Sequence, residues 1–188
     1  GENGGSIYSR TGIMASSIVL NQYFKFCPAC TEEDKLQYGE LYWHRVHQIP
    51  GVLVCPKHYV PLYNSQVPVR GYNKYQYKAA SEENCVKPDI DMIYADDVFE
   101  KLVRLAEDAQ VLLNSDFEKR NIGWYKEQYL AKMMKMGFAT VNGKVYRKRL
   151  IKEFINYYGE EFLDMVQSSV DVDNDSNWLM DMIRKKNK

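Results

Sequence analysis

Two short stretches of the sequence, CPAC at Cys27–Cys30 and CPKH at Cys55–His58, place metal-binding side chains at matching close spacing. Each pair forms a knuckle, a tight turn that aims two side chains at one point. In both, a proline follows the first cysteine and fixes φ for the turn. Between them lie 24 residues, Thr31 to Val54, enough for a folded excursion that brings the knuckles together. Three thiolates and one imidazole make a closed tetrahedral zinc site. Soft sulfur ligands favour zinc over magnesium or calcium. The alternative, ordinary buried thiols, does not account for two half-sites of matching design.

The remaining candidates are weaker. His44 and His47 are alternatives to His58 as the fourth ligand, but both stand outside the knuckles. Their expected work is to hydrogen-bond backbone or carboxylate groups around the site, or to cap a packed layer with Tyr42 and Trp43. Cys85 has no partner at knuckle spacing and reads as a free thiol. A hydrolytic zinc keeps one position open beside a base. Here four protein ligands close the shell, so one structural zinc is expected, folding the loop around it. The sequence has no Gly-rich phosphate loop, no G-x-S-x-G and no H-E-x-x-H, so neither an enzyme nor a small-molecule substrate is read from it.

The charges carry the second signal. The 188 residues have a formal net charge of zero. From Glu82 to Glu118, however, 11 acidic residues face three basic ones, a net of −8. From Lys119 to Lys152, 10 basic residues face Glu127 alone, a net of +9. Such asymmetry points to nucleic-acid contact, against the plainer reading of solvated surface. The candidate DNA-binding residues are Lys126, Lys132, Lys144, Arg147, Lys148, Arg149 and Lys152. Lys148 and Lys152 share a helix face opposite Leu150, Ile151 and Phe154. A basic helix start delivered by a turn suits a groove, with backbone amides near phosphates. The connector over 137–145 is longer than a standard helix-turn-helix turn, which leaves a helix-hairpin-helix variant open.

These groups need elements to hold them. The fold class expected is mainly α, with a small zinc-finger module and a helical, helix-turn-helix-like C-terminal half. Four segments are read: an N-terminal arm over 1–22, the zinc-finger module over 23–63, a linker over 64–93 with breakers Pro68, Gly71 and Pro88, and a helical, partly basic domain over 94–188. Val98, Leu102, Leu105, Ala109 and Leu112 form an apolar stripe over a helix at 95–114, with Asp96 and Asp97 at its positive end. Further helices are expected over 124–136, closed by Gly137, and over 146–158, closed by Gly159. Short β-capable runs flank the turn signal Asn142-Gly143. A short helix over 161–167 and a last one containing Trp178, Met182 and Ile183, capped by Ser176, complete the set. Four cysteines are too few for a disulfide scaffold, and their clustering points to a reducing cytoplasm. No apolar run reaches membrane-span length, and no signal-like segment opens the sequence.

The segment FKFCPACTEEDKLQYGELYWHRVHQIPGVLVCPKHYVPLY resembles the zinc-finger part of the TniQ/TnsD family. The resemblance is carried by the lead-in to C-P-x-C, by Y-G-E-x-Y-W-x-R-x-H-Q-x-P-G-V, and by C-P-x-H followed by P-L. The later WYKEQYL, NGKV and SNWLMDMIRK resemble the TnsD branch more weakly. The family's usual segment before the finger is mostly missing, and the chain reads as an internal fragment. The resemblance implies target-site selection in transposons of the Tn-seven class. It implies a bacterial, nucleoid-associated adaptor that binds double-stranded attachment-site DNA, or docks on a CRISPR effector, and recruits an AAA+ ATPase regulator. By matching positions, the family's zinc ligands fall on Cys27, Cys30, Cys55 and His58. The residues alone leave two other readings open: a zinc-built protein-interaction module without DNA contact, and a transcription regulator.

Overall fold

The computed structural model describes residues 18–70, 77–118, 120–173 and 177–183, with the side chains of Asp181 and Ile183 excepted. The arm expected over 1–22 therefore lies mostly outside the described residues, as do Lys119 and the expected cap Ser176. The chain forms two compact units, residues 1–114 and 115–188. Among the described residues the architecture is mainly helical, with six α-helices and one two-stranded sheet. None of the described helices is long and apolar enough to cross a membrane.

In the first unit, strand β1 (Tyr23–Phe26) leads into Cys27, which is the N-cap of helix α1 (Pro28–Tyr38). Pro28 stands at the first helical position, where its missing N–H costs nothing. Gly39 ends the helix in the left-handed conformation, φ 77°, its N–H donating to the Lys35 carbonyl. A 3-10 turn, Arg45–Gln48, follows. Strand β2 (Tyr63–Pro68) pairs antiparallel with β1, with Phe26 opposite Tyr63, Lys25 opposite Asn64 and Tyr23 opposite Pro68, and an irregularity between Tyr23 and Lys25. The stretch read as a linker, 64–93, thus begins inside a strand. Tyr63, Ser65 and Val67 alternate inward along it.

Helix α2 (Asp96–Asn114) belongs to this same unit. Its Ala106 and Ala109 join Cys27, Cys30, Val52, Cys55 and Leu62 in one buried cluster. The stripe is therefore Val98, Leu102, Ala106 and Ala109. Leu105 is only partly buried, and Leu112 is 64% exposed. The small alanines let the helix approach the knuckles closely where leucines would not fit.

The second unit holds helices α3 (Ile122–Lys135), α4 (Arg147–Tyr158), α5 (Glu160–Met165) and α6 (Trp178–Ile183). Asn121 caps α3, its side chain accepting from the Trp124 N–H at 2.9 Å. Leu150, Ile151, Leu179 and Met180 make the core, with Phe154, Trp178, Met133 and Phe138 packed around it. Phe154 and Trp178 meet edge to face at 5.6 Å. Between α3 and α4 the chain makes a minimal hairpin. Ala139 bridges Val145, the Thr140 N–H donates to the Lys144 carbonyl at 2.9 Å, and Gly143 takes φ 78° in the turn. The helices are thus joined by a hairpin rather than by the short turn of a standard helix-turn-helix.

Candidate metal centre and basic helical surface

Each knuckle is built by its backbone before any metal is considered. In the first, α1 starts at once after Cys27, and the Thr31 N–H donates to the Cys27 carbonyl at 3.0 Å. One helical turn then carries Cys30 back beside Cys27. In the second, Val54 bridges Pro61 and the Leu62 N–H donates to the Leu53 carbonyl at 2.8 Å. CPKHY is the tip of that hairpin, closed by Tyr59 N–H to Cys55 carbonyl and Cys55 N–H to Val60 carbonyl, both 2.9 Å. Tyr59 takes φ 54°, in the left-handed region a bulky residue seldom occupies. That turn points His58 back toward the thiols.

The four side chains converge. Their ligand atoms all lie within 4.8 Å of one another, with the three cysteines buried and His58 half-buried. His58 Nδ1 stands 3.6 Å from Cys27 Sγ, 3.3 Å from Cys30 Sγ and 3.7 Å from Cys55 Sγ. Cys30 Sγ and Cys55 Sγ are 3.7 Å apart. A tetrahedron with metal–sulfur bonds of about 2.3 Å and metal–nitrogen bonds of about 2.0 Å has sulfur–sulfur edges of about 3.8 Å and sulfur–nitrogen edges of about 3.5 Å. The cluster is therefore sized to hold one tetrahedral metal ion. Cys85 lies outside it, a half-buried thiol raised by burial, with Sγ 3.4 Å from Asn84 Oδ1.

The electrostatics of the bare cluster agree with this. Cys27 is pulled down by the Cys30 thiol, but the Cys55 thiol and burial outweigh that and push it up to about 11. Cys30 is raised by hydrogen bonding to Cys27 and Cys55 and by burial, while Cys55 is lowered because both neighbours donate to it. Three thiolates cannot ionise together in so small a buried volume without a cation among them.

Several outer residues position this centre, and no motif in the sequence marks them. Glu33 Oε2 lies 3.4 Å from His58 Nε2, the nitrogen turned away from the thiols. Hydrogen bonding from Lys57 holds the Glu33 carboxyl below its usual range. This is the carboxylate–imidazole arrangement that fixes a ligand's orientation. Asp34 is 3% exposed and receives His44 Nε2 at 2.8 Å, and Tyr42 stacks on His44 at 4.3 Å. His44 thus pairs with a carboxylate beside the site, as its place outside the knuckles led one to expect. Gln48 substitutes for a strand neighbour: its Oε1 accepts from the Lys25 N–H at 2.9 Å, and its Nε2 donates to the Lys25 carbonyl at 2.8 Å. Lys25 Nζ donates to the Val52 carbonyl at 3.2 Å, and burial lowers its pKa. The tyrosine after the knuckle, Tyr59, donates its hydroxyl to Glu107 on α2 at 3.0 Å.

In the second unit, Lys132 is exposed on α3 and Lys126 is half-buried there. Lys144 is exposed in the hairpin, and Arg147, Lys148, Arg149 and Lys152 are exposed on the first turns of α4. Tyr146, at the N-cap of α4, makes no side-chain cap hydrogen bond. Arg149 bends back, with its guanidinium 5.5 Å over the Phe138 ring and Nη1 3.5 Å from the Gly137 carbonyl. Lys148 Nζ lies 3.7 Å from Asp173 Oδ1, an exposed pair of small energetic consequence.

Comparison with known proteins covers both units. A family model described as Tn7-like transposition protein D matches residues 105–188. A second, described as TniQ, matches residues 1–62. Together these matches support placing the chain with TniQ/TnsD family transposition proteins. It is also similar to the transposon Tn7 transposition protein TnsD of Escherichia coli, 22% identical over 187 residues. That alignment covers 98% of the chain and 35% of the relative, so the chain spans about a third of the relative's length. Within the family match, the TniQ part contains both knuckles and the TnsD part contains the basic helices.

Proposed function

We propose that this chain acts in transposition target-site selection, as an adaptor rather than an enzyme. In this reading a structural zinc at Cys27, Cys30, Cys55 and His58 holds the first unit. The second presents Lys126, Lys132, Lys144, Arg147, Lys148, Arg149 and Lys152 to double-stranded attachment-site DNA. The bound adaptor then recruits an AAA+ ATPase regulator. Zinc is the metal argued for because three thiolates and an imidazole in a closed tetrahedron suit it best.

One observation carries the DNA assignment. Lys148 and Lys152 share the side of α4 opposite the buried Leu150, Arg147 and Arg149 are exposed beside them, and Lys144 is exposed in the hairpin just before the helix. A basic face of this kind neutralises phosphates and releases their counterions. The test is affinity for attachment-site duplex across a salt series, for the whole chain and for the Arg147→Ala/Lys148→Ala/Arg149→Ala variant. The log–log slope should become shallower by about three in the variant. An unchanged slope and affinity would remove this face from the interface.

A protein-docking reading rests on different residues. Trp124, Tyr125 and Tyr129 are exposed on α3, a helix without a buried side chain among those described. If the chain captures the ATPase after nuclease treatment and shifts no duplex at low salt, that reading replaces the first.

A further inference from the structure

The hairpin between α3 and α4 is held on both sides and ends in an apolar tip. The Thr140 N–H donates to the Lys144 carbonyl at 2.9 Å, the Gly143 N–H to the Thr140 carbonyl at 2.8 Å, and the Lys144 N–H to Thr140 Oγ1 at 3.1 Å. Val141 and Asn142 keep negative φ and Gly143 takes φ 78°, so the loop is a type I turn followed by a left-handed glycine. Its base is clamped. The Phe138 N–H donates to the Met133 carbonyl of α3, and the Tyr146 N–H to the Phe138 carbonyl, both at 2.8 Å. Arg149 of α4 lays its guanidinium over the Phe138 ring. At Gly143 an added Cβ would come within 3.2 Å of the Leu130 side chain, so the turn lies close against α3.

Neither turn chemistry nor packing asks for a valine at this corner. Turns of this type favour proline or short polar residues there, and Val141 is 87% exposed. The charges around it indicate what it meets. Asn142 and Lys144 are exposed beside it, and Arg147 and Lys148 follow on the first turn of α4. An apolar tip that carries an amide and is flanked by cations matches the minor groove of duplex DNA. That groove is narrow, about 6 Å, and strongly negative. It offers sugar walls to an apolar side chain and base acceptors to an amide N–H. A protein partner would be anchored by larger side chains than one valine. We propose that the hairpin over 139–145 enters the minor groove, with Val141 against the groove wall and Asn142 donating to a base edge, while α4 holds phosphates. The proposal rests on the DNA reading above, and adds to it the groove entered and a preference for A·T pairs.

The test measures the affinity of the whole chain for two synthetic duplexes of one mixed sequence, the second with inosine in place of guanine. Inosine lacks the amino group that guanine puts in the minor groove and keeps guanine's major-groove edge. The unmutated chain should bind the inosine duplex more tightly. Val141→Ser should weaken binding by about 5- to 10-fold, with the salt slope unchanged because no cation is removed. Asn142→Ala should weaken binding and abolish the preference for inosine. Both positions are exposed, so neither variant disturbs a core. Equal affinity of the unmutated chain for the two duplexes would overturn the proposal. So would Val141→Ser and Asn142→Ala variants that bind as the unmutated chain does. If those two bind normally while the Arg147→Ala/Lys148→Ala/Arg149→Ala variant does not, the basic face stands and the hairpin falls. A chain that shifts neither duplex at low salt fails differently, because it overturns the DNA reading itself.

Discussion

The two units are built on opposite terms. In the first, three cysteines and a half-buried imidazole sit in one cluster with Val52, Leu62 and the α2 alanines Ala106 and Ala109, and carboxylates hold histidines beside it. In the second, the centre is apolar: Leu150, Ile151, Leu179 and Met180, ringed by aromatic and methionine side chains. In the first, the β1–β2 pairing and the bonds of Gln48 and Lys25 bring the two knuckles together, and a metal at the four side chains would cross-link them. The second brings Leu150 and Ile151 against Leu179 and Met180, at a similar sequence separation, through burial of apolar side chains. The difference separates two tasks. A cross-linked scaffold can be rigid at small size, and a self-folding helical unit is free to devote its outer faces to charge.

The largest expected effect breaks the first unit alone. Cys55→Ser should lose stoichiometric metal and, with it, binding energy on the order of 10 kcal/mol that folds the knuckles. Metal analysis and circular dichroism of the whole chain check this, and retained metal with an intact spectrum would defeat the ligand assignment. The converse change is Ile151→Ala in the second unit. Ile151 is 2% exposed, and truncation should cost about 2–5 kcal/mol while metal content stays unchanged. Loss of metal in that variant would show that the two centres are not separate.

The contrast can be sharpened with pH. Against the pull of the Cys30 thiol, the Cys55 thiol and burial raise Cys27 to about 11, and Cys30 is raised as well. Both are therefore protonated at neutral pH in the metal-free cluster, and a metal must displace two protons. Metal affinity should then fall as pH falls, by about 100-fold per unit, measured by chelator competition between pH 8 and pH 6. Affinity independent of pH would contradict the protonated apo cluster. The smallest effect concerns how α2 is tied to the knuckle. Tyr59→Phe removes the hydroxyl that reaches Glu107, and because the pair is exposed, the loss of stability should be slight. A larger loss in denaturant titration would mean that α2 depends on this bond rather than on Ala106 and Ala109.

The knuckles were legible because their spacing is local and their chemistry has few other uses. The helices of the second unit were legible for a related reason. Leu150, Ile151 and Phe154 repeat at helical spacing, and Gly137 and Gly159 stop the helices that precede them. What sequence did not disclose was mostly non-local or polar. Helix α1, PACTEEDKLQY, buries only Cys30 and Asp34, so it has no apolar stripe to detect. Strand β2 puts Ser65 on its inward side and ends at Pro68, and its partner β1 lies far upstream. The periodicity of α2 marked a helix but not the neighbour it packs on. Leu105 and Leu112 satisfied the pattern, whereas the contact with the knuckles belongs to Ala106 and Ala109. Glu33, Asp34 and Gln48 do their work through hydrogen bonds that only a fold can specify.

Hydrogen exchange, followed by mass spectrometry on the whole chain before and after metal removal by a chelator, tests the central contrast most directly. The account predicts that β1, α1, the CPKH hairpin and β2 lose protection, while α4, α5 and α6 keep theirs. Protection lost in both units, or unchanged around the knuckles, would contradict it.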